Sequence, residues 1–279
     1  QVAGFCGVEV LTYCIMSNHF HVLVRVPQQF ELSDDELLSK AEELYWKNDM
    51  QLQVIRNIFE HGDEGAVERL REKLYARMFD VSIFMKELKQ RFSIWYNKTH
   101  DRYGVFWADR FNSVLVEGKR NAVEMVAAYI DLNPIRAGLV NDPKEYRYSG
   151  YGEAMAGVNR SRKGIMNAVY EKDDWKKALE GYRSLMFCKG SVAQKVGQRV
   201  LGKKLAENVL RRNGDLSRAE LLRCCIRYFC HGLAIGSYGF IQSCYEYNLD
   251  KVQRERIPRK MNGGAWGDLK VFRNCKGMN

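Results

Sequence analysis

From His19 to Val26 the chain alternates strictly, with Phe20, Val22, Val24 and Val26 on one side and His19, His21, Leu23 and Arg25 on the other. That is the period of a β-strand, and it predicts burial of the Phe/Val side. The preceding run Val8–Met16 is strand-like too, and the short Ser17-Asn18 break joins the two as a hairpin. Between Arg120 and Asn133 the period becomes helical. Val123, Val126, Ala127 and Ile130 share one stripe, Tyr129 falls off it, and Pro134 ends or kinks the helix. A second amphipathic helix carries Phe84, Leu88, Phe92 and Trp95, with Lys86, Lys89, Gln90 and Arg91 mainly elsewhere on its surface. It leads into Tyr103–Glu117, an aromatic and basic turn that enters a strand.

Between these segments, residues 28–80 read as a helical insertion, a hairpin or long crossover, with helices over Asp34–Asn48 and Glu64–Met78. Ser33 with Glu36 forms a capping-box pattern at its start. Further along, Ser217 and Glu220 open a helix whose apolar stripe is Leu222, Cys225, Ile226 and Phe229. The segment from His231 to Ser237 breaks that helix, and Ser237 caps another through about Leu249. Helix, glycine-containing turn and helix suggest a DNA-binding helix-turn-helix, although the second helix carries no Lys or Arg.

Three groups of residues carry candidate chemistry. On a strand, residues i and i+2 lie roughly 6.5–7 Å apart on one face. His19 and His21 can therefore direct two ring nitrogens at one divalent ion at about 2.0–2.2 Å each; the alternative is a His-x-His that merely decorates a sheet. Tyr129 and Asn133, four apart on a helix, can face one point, with Tyr129 as a nucleophile; otherwise they are a half-buried aromatic and a helix-end residue. Phe106, Trp107, Arg110 and Phe111 can stack on and clamp single-stranded nucleic acid, or serve as core aromatics at a helix-to-strand corner.

The 279 residues, 46% hydrophobic, suffice for a full core. No apolar run approaches the ~18 residues of a membrane span, and no secretory signal is visible. Eight cysteines without a CxxC pair read as reduced core thiols of an intracellular protein. Cys224, Cys225, Cys230, His231 and Cys244 could gather a zinc, but their spacing fits no zinc motif. Charge is uneven: residues 1–159 carry a net −4 and residues 160–279 a net +14, while the stretch 31–80 holds 13 acidic and 7 basic residues. The basic half is an electrostatic footprint for nucleic acid, and Arg254, Arg256, Arg259 and Lys260 in its tail are candidate phosphate contacts. A Gly- and Arg-containing stretch, 157–164, reads as the linker between a catalytic domain, 1–156, and a basic helical domain, 165–279.

Three segments in order, Met16-Ser17-Asn18-His19-Phe20-His21, Gly104-Val105-Phe106-Trp107-Ala108-Asp109-Arg110-Phe111 and Tyr129-Ile130-Asp131-Leu132-Asn133-Pro134-Ile135-Arg136-Ala137-Gly138-Leu139-Val140, resemble the single-tyrosine HUH transposases, and more closely the REP-associated tyrosine transposases. The resemblance spans residues 5–30 and 80–155 and implies an α+β fold built on a ferredoxin-like βαββαβ module. That module begins with a strand and a helix ahead of the hairpin. Gln1 lies only a few residues before it, so the resemblance implies that this strand and helix are missing.

The activity implied is metal-dependent nicking and strand transfer of single-stranded DNA at hairpin-forming, REP-like repeats, through a 5′-phosphotyrosine. His19 and His21 would hold Mg²⁺ or Mn²⁺, Asn133 would complete the metal site, and Tyr129 would be the nucleophile. Asp131 is a conceivable substitute for Asn133, but two residues from Tyr129 it should face away. Arg136 would join Arg110, Trp107 and Phe111 in contacting DNA. The expected partner is single-stranded or hairpin DNA, bound by a monomer or homodimer in the bacterial cytoplasm at the nucleoid. Two other readings are a replication initiator or relaxase of the same chemistry, disfavoured by the Asn-Pro-Ile-Arg-Ala-Gly segment, and a domesticated, non-catalytic sequence-specific DNA-binding protein.

Overall fold

A computed structural model of the chain describes residues 1–171, 173–187, 229, 232–247, 259–260 and 268–273. The chain divides into two units, residues 1–10 with 24–111 and residues 11–23 with 112–279. Helices dominate and the strands are short.

The first unit is helical: α1 (Val2–Phe5), α2 (Asp34–Leu44), α3 (Met50–His61), α4 (Glu64–Tyr75) and α5 (Val81–Thr99). Each long helix starts at a side-chain cap. Ser33 and Glu36 close a reciprocal capping box, and Asp49, Asp63 and Asp80 accept from first-turn amides. Leu37, Ala41 and Leu44 repeat at helical spacing and are buried with Leu52, Ile55, Leu70, Leu74, Phe84 and Phe5. The expected helices of the insertion are present but shorter than read, and α3 lies between them. Only Phe84 and Met85 of α5 are buried, whereas Phe92 and Trp95 are 36% and 56% exposed. The expected stripe therefore stops being a core stripe after the second turn. Of Tyr103–Glu117, expected as a turn that enters a strand, residues 104–111 are irregular.

The second unit is built round α6 (Arg120–Asp131). Strands β1 (Glu9–Ile15) and β2 (Phe20–Arg25) form the expected hairpin. The Met16 amide closes its turn by donating to the His19 carbonyl, 2.8 Å. Ile15 and Cys14 are joined further by the segment ahead of α8 (Gly150–Met155), through the Ile15 amide to the Tyr148 carbonyl and a bridge from Cys14 to Ser149. Leu11, Cys14 and Leu23 of the hairpin share one core with Val123, Val126, Ala127, Ala128 and Ile130 of α6.

This placement corrects the predicted strand face. Leu23 is the one buried residue of β2, while Phe20 and Val22 are only partly covered, because α6 packs against the side that carries His21 and Leu23. Nor is α6 amphipathic. Every residue from Ala122 to Asp131 except Glu124 is buried, the mark of a helix covered on all sides.

The expected linker 157–164 is the start of a helix instead. α9 (Asn159–Ala168) buries Gly164, Ile165 and Ala168 and packs on α6, as does α10 (Trp175–Phe187). Gly and small residues let these helices approach closely, so a stretch that reads as flexible is part of the core. The expected helix-turn-helix is corrected as well. Gly232–Gly236, its supposed turn, is strand β4, paired in parallel with β3 (Leu115–Val116) and antiparallel with β6 (Lys270–Arg273). Ala234 and Ile235 find backbone partners on both sides, which favours a strand over a turn. β5 (Arg259–Lys260) completes a sheet of order β3-β4-β6-β5. The helix that follows β4, α11 (Tyr238–Tyr247), begins at Ser237 as expected. The described part of the basic region is thus mixed, not all-helical.

Candidate functional site at the histidine pair

The hairpin lays His21 beside Tyr129 of α6. Their ring centroids are 6.4 Å apart at 70°, and the His19 ring stands 5.1 Å from that of His21 at 81°. Two residues from one turn and one from a distant helix thus meet at a single place. His19 is exposed, and its Nδ1 lies 2.7 Å from Asn18 Oδ1. An amide oxygen can only accept, so the His19 Nδ1–H is the donor in this contact.

His21 is held in the neutral form. Burial first, then the neighbouring His19 and Arg136, pull its pKa from 6.5 down to about 4. A neutral imidazole is the form that ligates metal.

Tyr129 is 3% exposed. The Arg136 guanidinium carbon lies 3.9 Å from its ring centroid and the Phe229 ring 4.7 Å away. The Asn-Pro-Ile-Arg sequence explains this arrangement. α6 stops at Asp131, and α7 (Asn133–Arg136) starts anew with proline in its first turn, where the missing N–H costs nothing. The last carbonyls of α6 would otherwise lack partners. Asn133 Nδ2 donates to the carbonyls of Ile130 at 3.1 Å and Tyr129 at 3.4 Å, and Arg136 also donates to the Tyr129 carbonyl. Asn133, 9% exposed, therefore acts as a helix-end cap, and its Oδ1 is the atom available to a cation.

Asp131 turns away from Tyr129, as its helical position predicts. It is wholly buried and accepts from Thr12 Oγ1 at 2.7 Å and Tyr182 Oη at 2.6 Å. Burial raises its pKa from 3.8 to about 7, against the lowering effect of those hydrogen bonds. It is a structural carboxylate that ties β1 and α10 to α6. Composition did not single out this role, nor that of Phe229, which appeared only as one member of an apolar stripe.

The residues brought together supply two imidazoles, while Asn133 is engaged at the end of α6; among the described residues no group of three His, Cys, Asp or Glu side chains forms a metal site. Two imidazoles are donors of the kind that ligate divalent ions, and the Arg136 guanidinium beside Tyr129 is a group that attracts an anion. Arg110, Trp107 and Phe111 belong to the first unit and His19, His21, Tyr129, Asn133 and Arg136 to the second. Arg259 and Lys260 form β5, while Arg254 and Arg256 lie outside the described residues, as do Cys224, Cys225, Cys230 and His231. No described helix is long and apolar enough to cross a membrane. Comparison with protein-family models, curated proteins and solved structures found no match.

Proposed function

We propose that this chain is a single-tyrosine HUH transposase of the REP-associated kind, which nicks and rejoins single-stranded DNA. The observation that carries this reading is the meeting of His19, His21 and Tyr129 in one place, with Arg136 over the tyrosine. On this reading the fold is a ferredoxin-like module, of which the β1–β2 hairpin and α6 are the described core.

The Tyr129 oxygen would bond to a backbone phosphorus as the P–O3′ bond breaks. The phenol proton would leave to solvent and the departing O3′ would take one up, giving a 5′-phosphotyrosine and a free 3′-hydroxyl. A phenol of pKa about 10 is a weak nucleophile at neutral pH. Arg136 places a positive charge where the phosphate would arrive. His21, kept neutral by burial, and His19 would hold Mg²⁺ or Mn²⁺ with Asn133 Oδ1. When bound, that ion polarises the phosphate as a Lewis acid. Transfer to another 3′-hydroxyl would reverse the first step on a new strand.

A second reading, a DNA-binding protein without strand chemistry, is favoured by one observation: Tyr129 is covered by Arg136 and Phe229. Attack on phosphate requires this cover to withdraw. A denaturing gel separates the two readings, using labelled single strands that contain hairpin repeats, with Mg²⁺ or Mn²⁺. The transposase forms a covalent adduct that disappears with EDTA and in Tyr129→Phe. Tight hairpin binding with no adduct would establish the binding protein.

A further inference from the structure

The first unit contains a surface that the chemistry at Tyr129 does not use. Its helix α5 and the loop that follows line a groove of about 430 Å³, formed by Ser82, Met85, Lys86, Lys89, Arg110 and Phe111. Three cations line this groove and no carboxylate does. Among the described residues no acidic side chain pairs with Lys86, Lys89 or Arg110; Lys89 Nζ donates to the Asp109 carbonyl at 2.7 Å and lies 5.2 Å from the Trp107 ring centroid.

The cationic character is local. Residues 81–111 hold six Lys and Arg against three acidic residues, whereas the rest of this unit holds eight against fourteen. An unpaired positive patch in an acidic unit marks a place for an anion.

The same face of α5 continues into aromatic residues. Ser82, Lys86, Lys89 and Phe92 follow at spacings of three and four, and so lie along one side of the helix. Phe92 is ringed by Trp95, Tyr96, Phe106 and Trp107 at centroid distances of 5.6, 5.8, 5.1 and 5.5 Å. Trp107 is pinned to α5 by its indole N–H, which donates to the Lys89 carbonyl at 3.0 Å. A cluster that served only to hold the loop would bury its rings. Here Phe92 is 36% exposed and Trp95 56%.

We propose that the face of α5 from Ser82 to Trp95 is a track for single-stranded DNA. Lys86, Lys89 and Arg110 hold its phosphates, and Phe92 and Trp95 stack its bases. A cationic groove beside exposed aromatic faces is the chemistry of sequence-tolerant single-strand binding. The thirteen-residue rise from Ser82 to Trp95 is about 20 Å, long enough for a short run of nucleotides. The choice of DNA over RNA rests on the transposase reading; the track itself requires neither metal nor Tyr129.

The test is fluorescence anisotropy of a labelled dT 12-mer with the full chain in EDTA, which also removes any dependence on strand chemistry. Lys86→Glu with Lys89→Glu is expected to weaken binding at least tenfold and to lower the salt slope by about 1.4, two phosphate contacts at about 0.7 each. Trp95→Ala is expected to weaken it roughly five- to a hundredfold, and Trp95→Phe to restore it. Because Trp95 is exposed, its variants keep the question answerable if the double charge reversal fails to fold.

Unchanged affinity in these variants would overturn the track, as would an equal loss in Lys73→Glu on α4, which would show only a general charge effect. Tighter binding of an oligo-U strand would assign the surface to RNA, against the proposal. A shift in oligomeric state by Trp95→Ala, without loss of DNA affinity, would make it a protein interface and also refute it. An adduct at Tyr129 with a failed track leaves the transposase reading standing, and a working track without an adduct does the reverse.

Discussion

Replacing Asp131 by Asn should make the stability of the second unit less dependent on pH, and the size of the effect follows from the burial of this carboxyl. Asp131 is 0% exposed, with Thr12 and Tyr182 hydroxyls as its partners, and burial lifts its pKa from 3.8 to about 7. The folded state thus holds a proton that the unfolded state has already released. Stability from this group is highest at acid pH and falls as pH rises between those two values. At about 1.36 kcal/mol per pH unit, the penalty is roughly 2 kcal/mol at pH 5 and about 4 kcal/mol at pH 8. Asn keeps an acceptor for one hydroxyl and has no charge to bury. Urea unfolding followed by circular dichroism at pH 5, 6, 7 and 8 should therefore show Asp131→Asn gaining roughly 2–3 kcal/mol on the parent across that range. Asp131→Ala should instead destabilise at every pH, since it leaves both hydroxyls without their acceptor. A parent-to-Asn difference that stays constant from pH 5 to pH 8 would refute the reasoning, because it would mean that the buried carboxyl does not change its protonation there.

Two further outcomes follow from the same region. Nitrogen-detected NMR titration of His21 should place its midpoint near pH 4, so that the ring is neutral at pH 5.5; because the folded pKa lies below the ordinary 6.5, acidification through that window should cost stability, and a midpoint at or above 6 would contradict the burial argument. In Gly150→Ala the new methyl would sit 2.6 Å from Thr12 Oγ1 and 3.1 Å from the Tyr13 amide, too close for a real contact, so Thr12 must leave Asp131 at a cost of about 1–3 kcal/mol; melting curves should show a smaller loss when the change is made in Asp131→Asn, and full additivity would show that the two positions do not share this hydrogen bond.

Local chemistry made several elements legible without a structure. The alternation around His19 and His21, the Ser33–Glu36 box and the stop before Pro134 depend on one strand period, one cap and one missing N–H, and each appears where the sequence places it. The two histidines and Tyr129 were also readable as candidates, since their positions on strand and helix are local properties. What covers a face is not local. The side of β2 that is buried was decided by α6 packing on His21 and Leu23, and the burial of Tyr129 by Phe229, a hundred residues on, together with the turn that brings Arg136 back over the ring.

Likewise Gly232–Gly236 becomes a strand because β3 and β6 supply hydrogen bonds on both sides, and residues 159–168 become a core helix because α6 accepts their small side chains. Periodicity determines which residues share a side, but the free energy of burial and of backbone pairing belongs to the partner as much as to the segment. For that reason the sequence by itself determined the parts of the site, and only the tertiary structure decided that Tyr129 lies covered within it.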